Sequence, residues 1–221
     1  MTVRTNARLA GFMFLFYIAS GVAEMVLFAP ATRGEGTAAK LASIAQHATL
    51  MRLGAVFSVV MVMNAFVLAV ALYALTRDTD RDLALLALVC RIAEGLVGAA
   101  DAFADRALLA VATAVNGPSS ADAAAANVLG AALLKAQGLG TLLSATLFAI
   151  GSTLFAYLFL RGRRIPVSLS WLGIVSSLLL VVCLPLQMAG FLTGPVTQFV
   201  WIPIAVFEIV LALWLLIKGV T

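Results

Sequence analysis

Charged side chains are scarce in this sequence. Lys, Arg, Asp and Glu make up only 11% of its 221 residues, whereas soluble domains carry about 25%. Hydrophobic residues account for 63%, and the mean hydropathy is +1.11. Because so few charges cannot solvate the surface of a soluble domain, the composition predicts an integral membrane protein.

Residues that build metal and redox sites are also few. The single histidine and the two cysteines show neither paired spacing nor a neighbouring cluster of ligands. Cys90 and Cys183 both lie in apolar runs, as small core residues do. The sequence has no metal triad, phosphate-binding loop, nucleophile elbow or aspartate-rich diphosphate motif. We therefore expect no metal and no other cofactor, and metal-dependent lipid chemistry is disfavoured.

Long hydrophobic runs are what the sequence has instead. Six runs suit the ~30 Å hydrocarbon core at 1.5 Å per residue. The first has the basic start of a signal peptide, but it stays apolar beyond Ala23, which favours a retained span. Shorter helical segments are predicted at 37–50 and 122–135, with a bend at glycines 138 and 140. The predicted spans are residues 10–29, 51–75, 83–115, 142–160, 171–190 and 196–217.

These elements predict an all-α fold. It is a polytopic six-helix transmembrane bundle with one or two short interfacial helices, forming a single transmembrane domain over residues 1–221. The fourteen Lys and Arg are scattered among short loops and not clustered with aromatic residues, so nucleic acid is not an expected partner. Eight of them fall in loops on one side of the predicted membrane and three on the other. By the positive-inside rule, both termini are predicted to be cytoplasmic.

The third span carries a polar stripe. At about 100° per residue, Arg91, Glu94, Gly98, Asp101 and Asp105 fall within roughly 80° of one another. A charge at the bilayer centre costs about 2.5–3.5 kcal/mol on insertion scales, so this stripe should face protein or water. An ionisable residue within a span indicates a candidate functional site.

Other polar residues fall at matching depths. Counting 1.5 Å per residue along each helix places them in two layers, the inner one near the membrane centre. A cavity that tapers inward from the outer face is the simplest arrangement that keeps both layers out of lipid. The inner layer holds Glu24, Asn64, Arg91, Glu94 and Glu208; the outer layer holds Arg52, Asp101, Asp105, Arg106, Gln137 and Gln187.

The inner layer has three carboxyl groups and one guanidinium. Burial and mutual repulsion disfavour full ionisation, so one or two of Glu24, Glu94 and Glu208 are expected to be protonated at neutral pH, or to share a cation. Arg91 stays charged, and Glu94 at i+3 is its nearest partner.

Six short segments are spread over nearly the whole chain: RLAG at 8–11, GVAE at 21–24, MRLG at 51–54, LLALVCRIAE at 85–94, WLG at 171–173 and FEIVLALW at 207–214. Together they resemble a bacterial membrane family known as domain of unknown function 4386. The resemblance implies a six-span helical fold in a bacterial cytoplasmic (inner) membrane. It also implies that Glu24, Arg52, Arg91, Glu94 and Glu208 belong to the family pattern, with Gln137 where that pattern has a histidine. The family has no assigned activity.

Three functions are compatible with this pattern. The first is binding or transport of a small lipophilic or cationic molecule in an acidic midplane pocket, with the lipid bilayer as the surrounding partner. The second is an intramembrane enzyme that uses one protonated and one ionised glutamate on a lipid-soluble, isoprenoid-like substrate. The third is a polar cluster that only holds helices in register.

Overall fold

A computed structural model describes residues 2–114 and 120–220, and within these ranges it is helical, without strands. Six of its helical segments are long and apolar enough to cross a membrane, which confirms the predicted fold class. A short 3₁₀ helix, Ala29–Thr32, follows the first span. The α-helices are α1 Val3–Phe28, α2 Gly36–Gln46, α3 Ala48–Thr76, α4 Arg81–Ala114, α5 Ser120–Arg161, α6 Val167–Met188, α7 Val196–Phe199 and α8 Ile202–Ile217.

The spans form a closed ring in the order of the sequence. Each packs against its neighbours along the chain, from α1 and α3 through α4, α5 and α6 to α8, and α8 returns to α1. Gly11 allows this closure, because a Cβ there would lie 2.7 Å from the Ala212 carbonyl oxygen. A ring of six helices leaves an interior in which polar side chains can avoid lipid.

Alternating helix directions bring both termini and two short connections to one end of the bundle, here called the terminal end. There Asp80 begins α4: its Oδ1 accepts a hydrogen bond from the Leu83 N–H at 3.2 Å, and its Oδ2 accepts one from Arg161 at 2.7 Å. The Leu83 bond, followed by the Arg161 contact, lowers the pKa of Asp80 below its ordinary value. These bonds link the start of α4 to the end of α5.

Apolar side chains fill the bundle near the terminal end. Phe14, Leu72, Phe155, Phe159 and Leu211 belong to one buried cluster. The space left among them is only ≈ 10 Å³, room for about one water molecule. This part of the ring interior is therefore narrow and apolar.

The helices α4 and α5 are longer than the sequence predicted. The segment 122–135 and the span 142–160 belong to one continuous helix, so the predicted separate helix was wrong. The predicted bend at 138–140 does not interrupt this helix. Alanine favours helix strongly and a glycine costs only about 1 kcal/mol, which explains the continuity. At 34 and 42 residues, α4 and α5 exceed the ~30 Å core by about 20 to 30 Å. Residue 115, the predicted end of the third span, lies outside the described residues.

The excess length of α4 and α5 supports a second apolar cluster at the end opposite the termini. Leu41 and Ile44 of α2 pack with Leu108 and Leu109 of α4. Gly130 of α5 admits Leu41, whose Cδ1 would lie 2.9 Å from a Cβ at that position. The predicted interfacial helix at 37–50 thus corresponds to α2, which packs against α4 and α5, and to the first turn of α3.

The last span is interrupted near its start. Val196–Phe199 and Ile202–Ile217 are separate helices, where the sequence predicted one span over 196–217. Pro203 lies in the first turn of α8. Backbone N–H groups there have no partner within the helix, so proline, which lacks an N–H, costs no helical hydrogen bond. The interruption places Trp201 at the N-cap of α8.

Candidate functional site

The buried ion pair Arg91–Glu94 lies inside the ring. Arg91 Nη1 is 2.9 Å from Glu94 Oε2, and the two side chains are 1% and 4% exposed. The N–H groups are not aligned with that oxygen, so Nε, Nη1 and Nη2 of Arg91 have no hydrogen-bond partner among the described residues. The contact is the i,i+3 pair that the sequence indicates. Its strength comes from charge at close range in a low-dielectric interior.

The other oxygen of Glu94 accepts a hydrogen bond from another helix. The Tyr17 hydroxyl of α1 donates to Oε1 at 2.9 Å. The carboxyl of Glu94 is therefore held between a cation and a phenol. This fixes its orientation more tightly than the ion pair alone would.

Two aromatic rings and a glycine shape the space around Arg91. Its guanidinium carbon lies 4.7 Å from the ring centre of Phe148 and 5.9 Å from that of Tyr17, within the range of cation–π attraction. At Gly151 a Cβ would come 3.0 Å from Arg91 Cγ and 3.1 Å from Cδ. Glycine is required there to let the arginine stem pass between α4 and α5.

The polar stripe of α4 faces a matching stripe of α5 in one antiparallel register. Gln137 Nε2 donates to Asp105 Oδ1 at 2.8 Å, and Ser144 Oγ donates to the main-chain carbonyl of Glu94 at 3.0 Å. The α5 stripe comprises Gln137, Thr141, Ser144, Phe148 and Gly151, at i, i+4, i+7, i+11 and i+14. Thus one face of α5 carries hydrogen-bonding groups at one end and the Arg91 pocket at the other.

A cavity of ≈ 450 Å³, here called the outer cavity, lies against these stripes. Glu94 and Tyr17 line its deep part, and Glu24, Asp105 and Gln137 line the rest. Adjoining space of ≈ 340 Å³ shares Glu24, Asp105 and Gln137 and reaches Thr32 and Met51 at the end opposite the termini. The cavity thus runs from that end to the buried ion pair.

A second space, here called the Glu208 cavity, adjoins the first. Its volume is ≈ 280 Å³, and it shares Tyr17, Glu94, Thr141 and Ser144 with the outer cavity. Glu208 of α8 lines it at 8% exposure, and its Oε1 has no hydrogen-bond partner among the described residues. Phe148 and Trp201, with ring centres 6.4 Å apart, form part of its wall.

The charged residues that line these spaces are all acidic. Glu24, Glu94 and Asp105 line the outer cavity, and Glu94 and Glu208 line the Glu208 cavity; none of the described lining residues is Lys, Arg or His. Arg91 is buried behind Glu94 and so offsets part of this charge from outside the space. Such a surface favours a cation over an anion.

The remaining residues predicted from the sequence are distributed around this site. Asn64 is buried and donates to the Met13 carbonyl oxygen at 3.2 Å, so it ties α3 to α1. Glu24 is exposed and accompanies Asp105 and Gln137, because α1 begins at Val3 and so places Glu24 farther from the terminal end than the sequence count did. Arg52 and Arg106 are exposed, Gln187 is half-buried near the end of α6, and the side chain of Asp101 lies outside the described residues.

Sequence reasoning missed Tyr17, Ser144 and Phe148. Tyr17 precedes Gly21 and Glu24 at i+4 and i+7, on one face of the first span, and that spacing could have revealed it. Ser144 and Phe148 continue the face of Gln137. Neither carries a charge, so neither stands out in a hydrophobic run.

Fold and site together define a polytopic α-helical membrane protein with a buried acidic cavity. Residues 9–219 match the family described as Domain of unknown function (DUF4386), and the chain belongs to this family. No curated protein and no solved structure matches the chain. The family carries no assigned activity.

Proposed function

We propose that this protein binds an amphiphilic organic cation in the outer and Glu208 cavities, within a bacterial inner membrane. Carboxyl groups surround these spaces and no basic side chain among the described residues lines them. The volumes of ≈ 450 and ≈ 280 Å³ suit a small molecule, since ligand pockets measure about 300–1,000 Å³. The apolar body of such a cation would contact aromatic and aliphatic walls.

Glu208 is the observation that carries this proposal. It is a buried carboxyl group in a cavity wall, and its Oε1 lacks a hydrogen-bond donor among the described residues. A buried acceptor without a donor costs about 1–3 kcal/mol, more when charged. An ammonium group would donate to Glu208 and neutralise it, while Phe148 and Trp201 offer ring faces to the same cation.

The cavity geometry also suggests how binding relates to the membrane. The space reaches toward the end opposite the termini, and apolar packing closes the terminal end. With both termini cytoplasmic, the cavity would face the outside of the inner membrane. Transport would then require a second conformation that opens the terminal end, with proton release from a carboxyl group as the coupling step.

Thermal unfolding of the purified protein in non-ionic detergent tests the proposal. Alkyl and arylalkyl amines, which are protonated at neutral pH, are added, each paired with the neutral alcohol of the same carbon skeleton. We expect amines to raise Tm more than their alcohols do, because an alcohol can donate a hydrogen bond to Glu208 but only an ammonium group also neutralises its charge. Equal shifts for amine and alcohol would show simple apolar partitioning and contradict the proposal.

Acid–base catalysis on a lipid-soluble substrate is the second candidate, favoured by one observation. Glu94 is in contact with Arg91 and Tyr17, whereas Oε1 of Glu208 has no hydrogen-bond partner among the described residues, so the two carboxyl groups on one cavity occupy different environments. Such a difference in environment allows one carboxyl group to act as the general base and the other as the general acid. Incubation with neutral polyunsaturated isoprenoids, followed by gas chromatography coupled to mass spectrometry to separate isomerised or cyclised products of the same mass, tests this candidate. A product formed by the parent protein and lost in Glu208→Gln would favour an enzyme.

A further inference from the structure

An apolar groove on the outer surface of the ring adjoins the outer cavity, with which it shares Ser58 and Val62, but no acidic residue among those described lines it. It has a volume of ≈ 340 Å³ and runs between α3 and α4. Its walls include Val59, Val62 and Met63 of α3, Ala99 and Phe103 of α4, and Arg106. Val59, Met63 and Phe103 are 59%, 53% and 79% exposed. In a membrane, these side chains contact acyl chains.

The depth of the groove matches one leaflet. Counted along α4 from Arg81, Ala99 lies about 27 Å and Arg106 about 37 Å from the terminal end. Counted along α3 from Thr76, Met63 lies about 20 Å from that end. The apolar part thus falls in the half of the hydrocarbon core opposite the termini. Arg106 lies beyond the ~30 Å core, at the level of the headgroups.

A second arginine lies at the same level. Arg52 precedes Ala55 and Val59 on one face of α3, at i+3 and i+7, and lies about 36 Å from the terminal end. Arg52 and Arg106 are both exposed, and none of the described groove residues is acidic. Asp105, the neighbour of Arg106 in sequence, is engaged by Gln137 at 2.8 Å on the cavity side. The headgroup end of the groove is therefore basic.

We propose that this groove binds a phospholipid with an anionic headgroup, whose acyl chain lies along α3 and α4 and whose phosphate contacts Arg106. A guanidinium binds a phosphate through two parallel hydrogen bonds. Arg52 supplies a second positive charge to the headgroup. A zwitterionic lipid would gain less, because its own cation opposes these two arginines.

Native mass spectrometry of the full chain, titrated with phosphatidylglycerol or phosphatidylcholine of identical acyl chains, measures this binding. We expect tighter retention of phosphatidylglycerol. Arg106→Gln should weaken that preference by about fivefold, the effect of one basic residue at an anionic lipid surface. Lys135→Gln is the matched control, because it removes an exposed charge at about 39 Å from the terminal end, but on α5. Equal losses for the two variants, or equal retention of both lipids by the parent chain, would contradict the proposal.

Filling the groove provides a second test that leaves the charges intact. Ala99→Phe should occupy the acyl-chain path and lower retention of both lipids. Ala100→Phe, on an exposed neighbouring position of the same helix, should leave retention unchanged. Unaltered lipid binding in Ala99→Phe would show that the groove is not the lipid-binding site and would contradict the proposal. Because the groove is separate from Glu208, failure of this proposal and failure of amine binding are distinguishable.

Discussion

Arg91 and Glu94 form a buried ion pair at 2.9 Å within a single helix, one turn apart on α4. A pair confined to one helix cannot by itself hold two helices in register. The bonds that join Glu94 to other helices come instead from Tyr17, which donates to its carboxylate, and from Ser144, which donates to its main-chain carbonyl oxygen. The pair thus sets the charge of the cavity wall, while neutral donors fix its position.

Removal of the Arg91 side chain should destabilise the protein strongly. Arg91→Ala leaves Glu94 buried beside an empty space without its cation, and breaking a buried pair costs about 3–5 kcal/mol. Arg91→Lys should be partly tolerated, because a point charge cannot reproduce the planar guanidinium against Phe148. Tm in detergent measures the effect, with exposed Lys135→Ala as control. A Tm of Arg91→Ala equal to that of the parent would show that the buried pair contributes nothing.

Gly151→Ala should destabilise the protein as well. Its Cβ would lie 3.0 Å from Arg91 Cγ and 3.3 Å from the Ala87 carbonyl oxygen, and overpacking of this kind costs about 1–3 kcal/mol. Gly138→Ala on the same helix meets no atom within 4 Å and should be stabilising by up to about 1 kcal/mol. The opposite signs of the two Tm changes are the predicted result. A stabilising Gly151→Ala would mean that Arg91 does not pass Gly151.

Loss of the Tyr17 hydroxyl should cost stability through Glu94. Tyr17→Phe deletes a 2.9 Å hydrogen bond to a carboxyl group, and bonds to charged groups contribute about 1.5–3 kcal/mol. Tyr157→Phe, at a 42% exposed position, is the control and should be neutral. In Arg91→Ala the effect of Tyr17→Phe should change, because the two residues share Glu94. If the Tm changes of Tyr17→Phe and Arg91→Ala simply add in the double variant, Tyr17 does not act through the Arg91–Glu94 pair.

The orientation of the bundle can be tested with a reporter fused after Thr221. The basic residues of the short connections fall mainly at the terminal end, so the reporter should be active only in the cytoplasm. Reporter activity on the outer side of the membrane would contradict this orientation and would mean that the acidic cavity faces the cytoplasm.

The sequence identified the α4 half of the site and Gln137 of α5, but not Ser144 or Phe148 of α5. Arg91 and Glu94 are conspicuous because charges are costly in a membrane, whereas Ser144 and Phe148 are ordinary residues of a span. The lengths of α4 and α5 were underestimated because hydropathy reports where lipid ends, while Ala-rich segments remain helical beyond it. Depth counting placed Glu24 too deep because its reference point, residue 10, is seven residues inside α1.

The Tm shift that amines produce in Glu208→Gln, compared with the parent protein, tests the proposed function most directly. Glutamine keeps the shape of the side chain and avoids the cost of a buried charge, so the variant should fold at least as well as the parent. It cannot neutralise an ammonium group, so the shift produced by amines should disappear, and Glu24→Gln should reduce it. An undiminished shift in Glu208→Gln would contradict a cation site at Glu208.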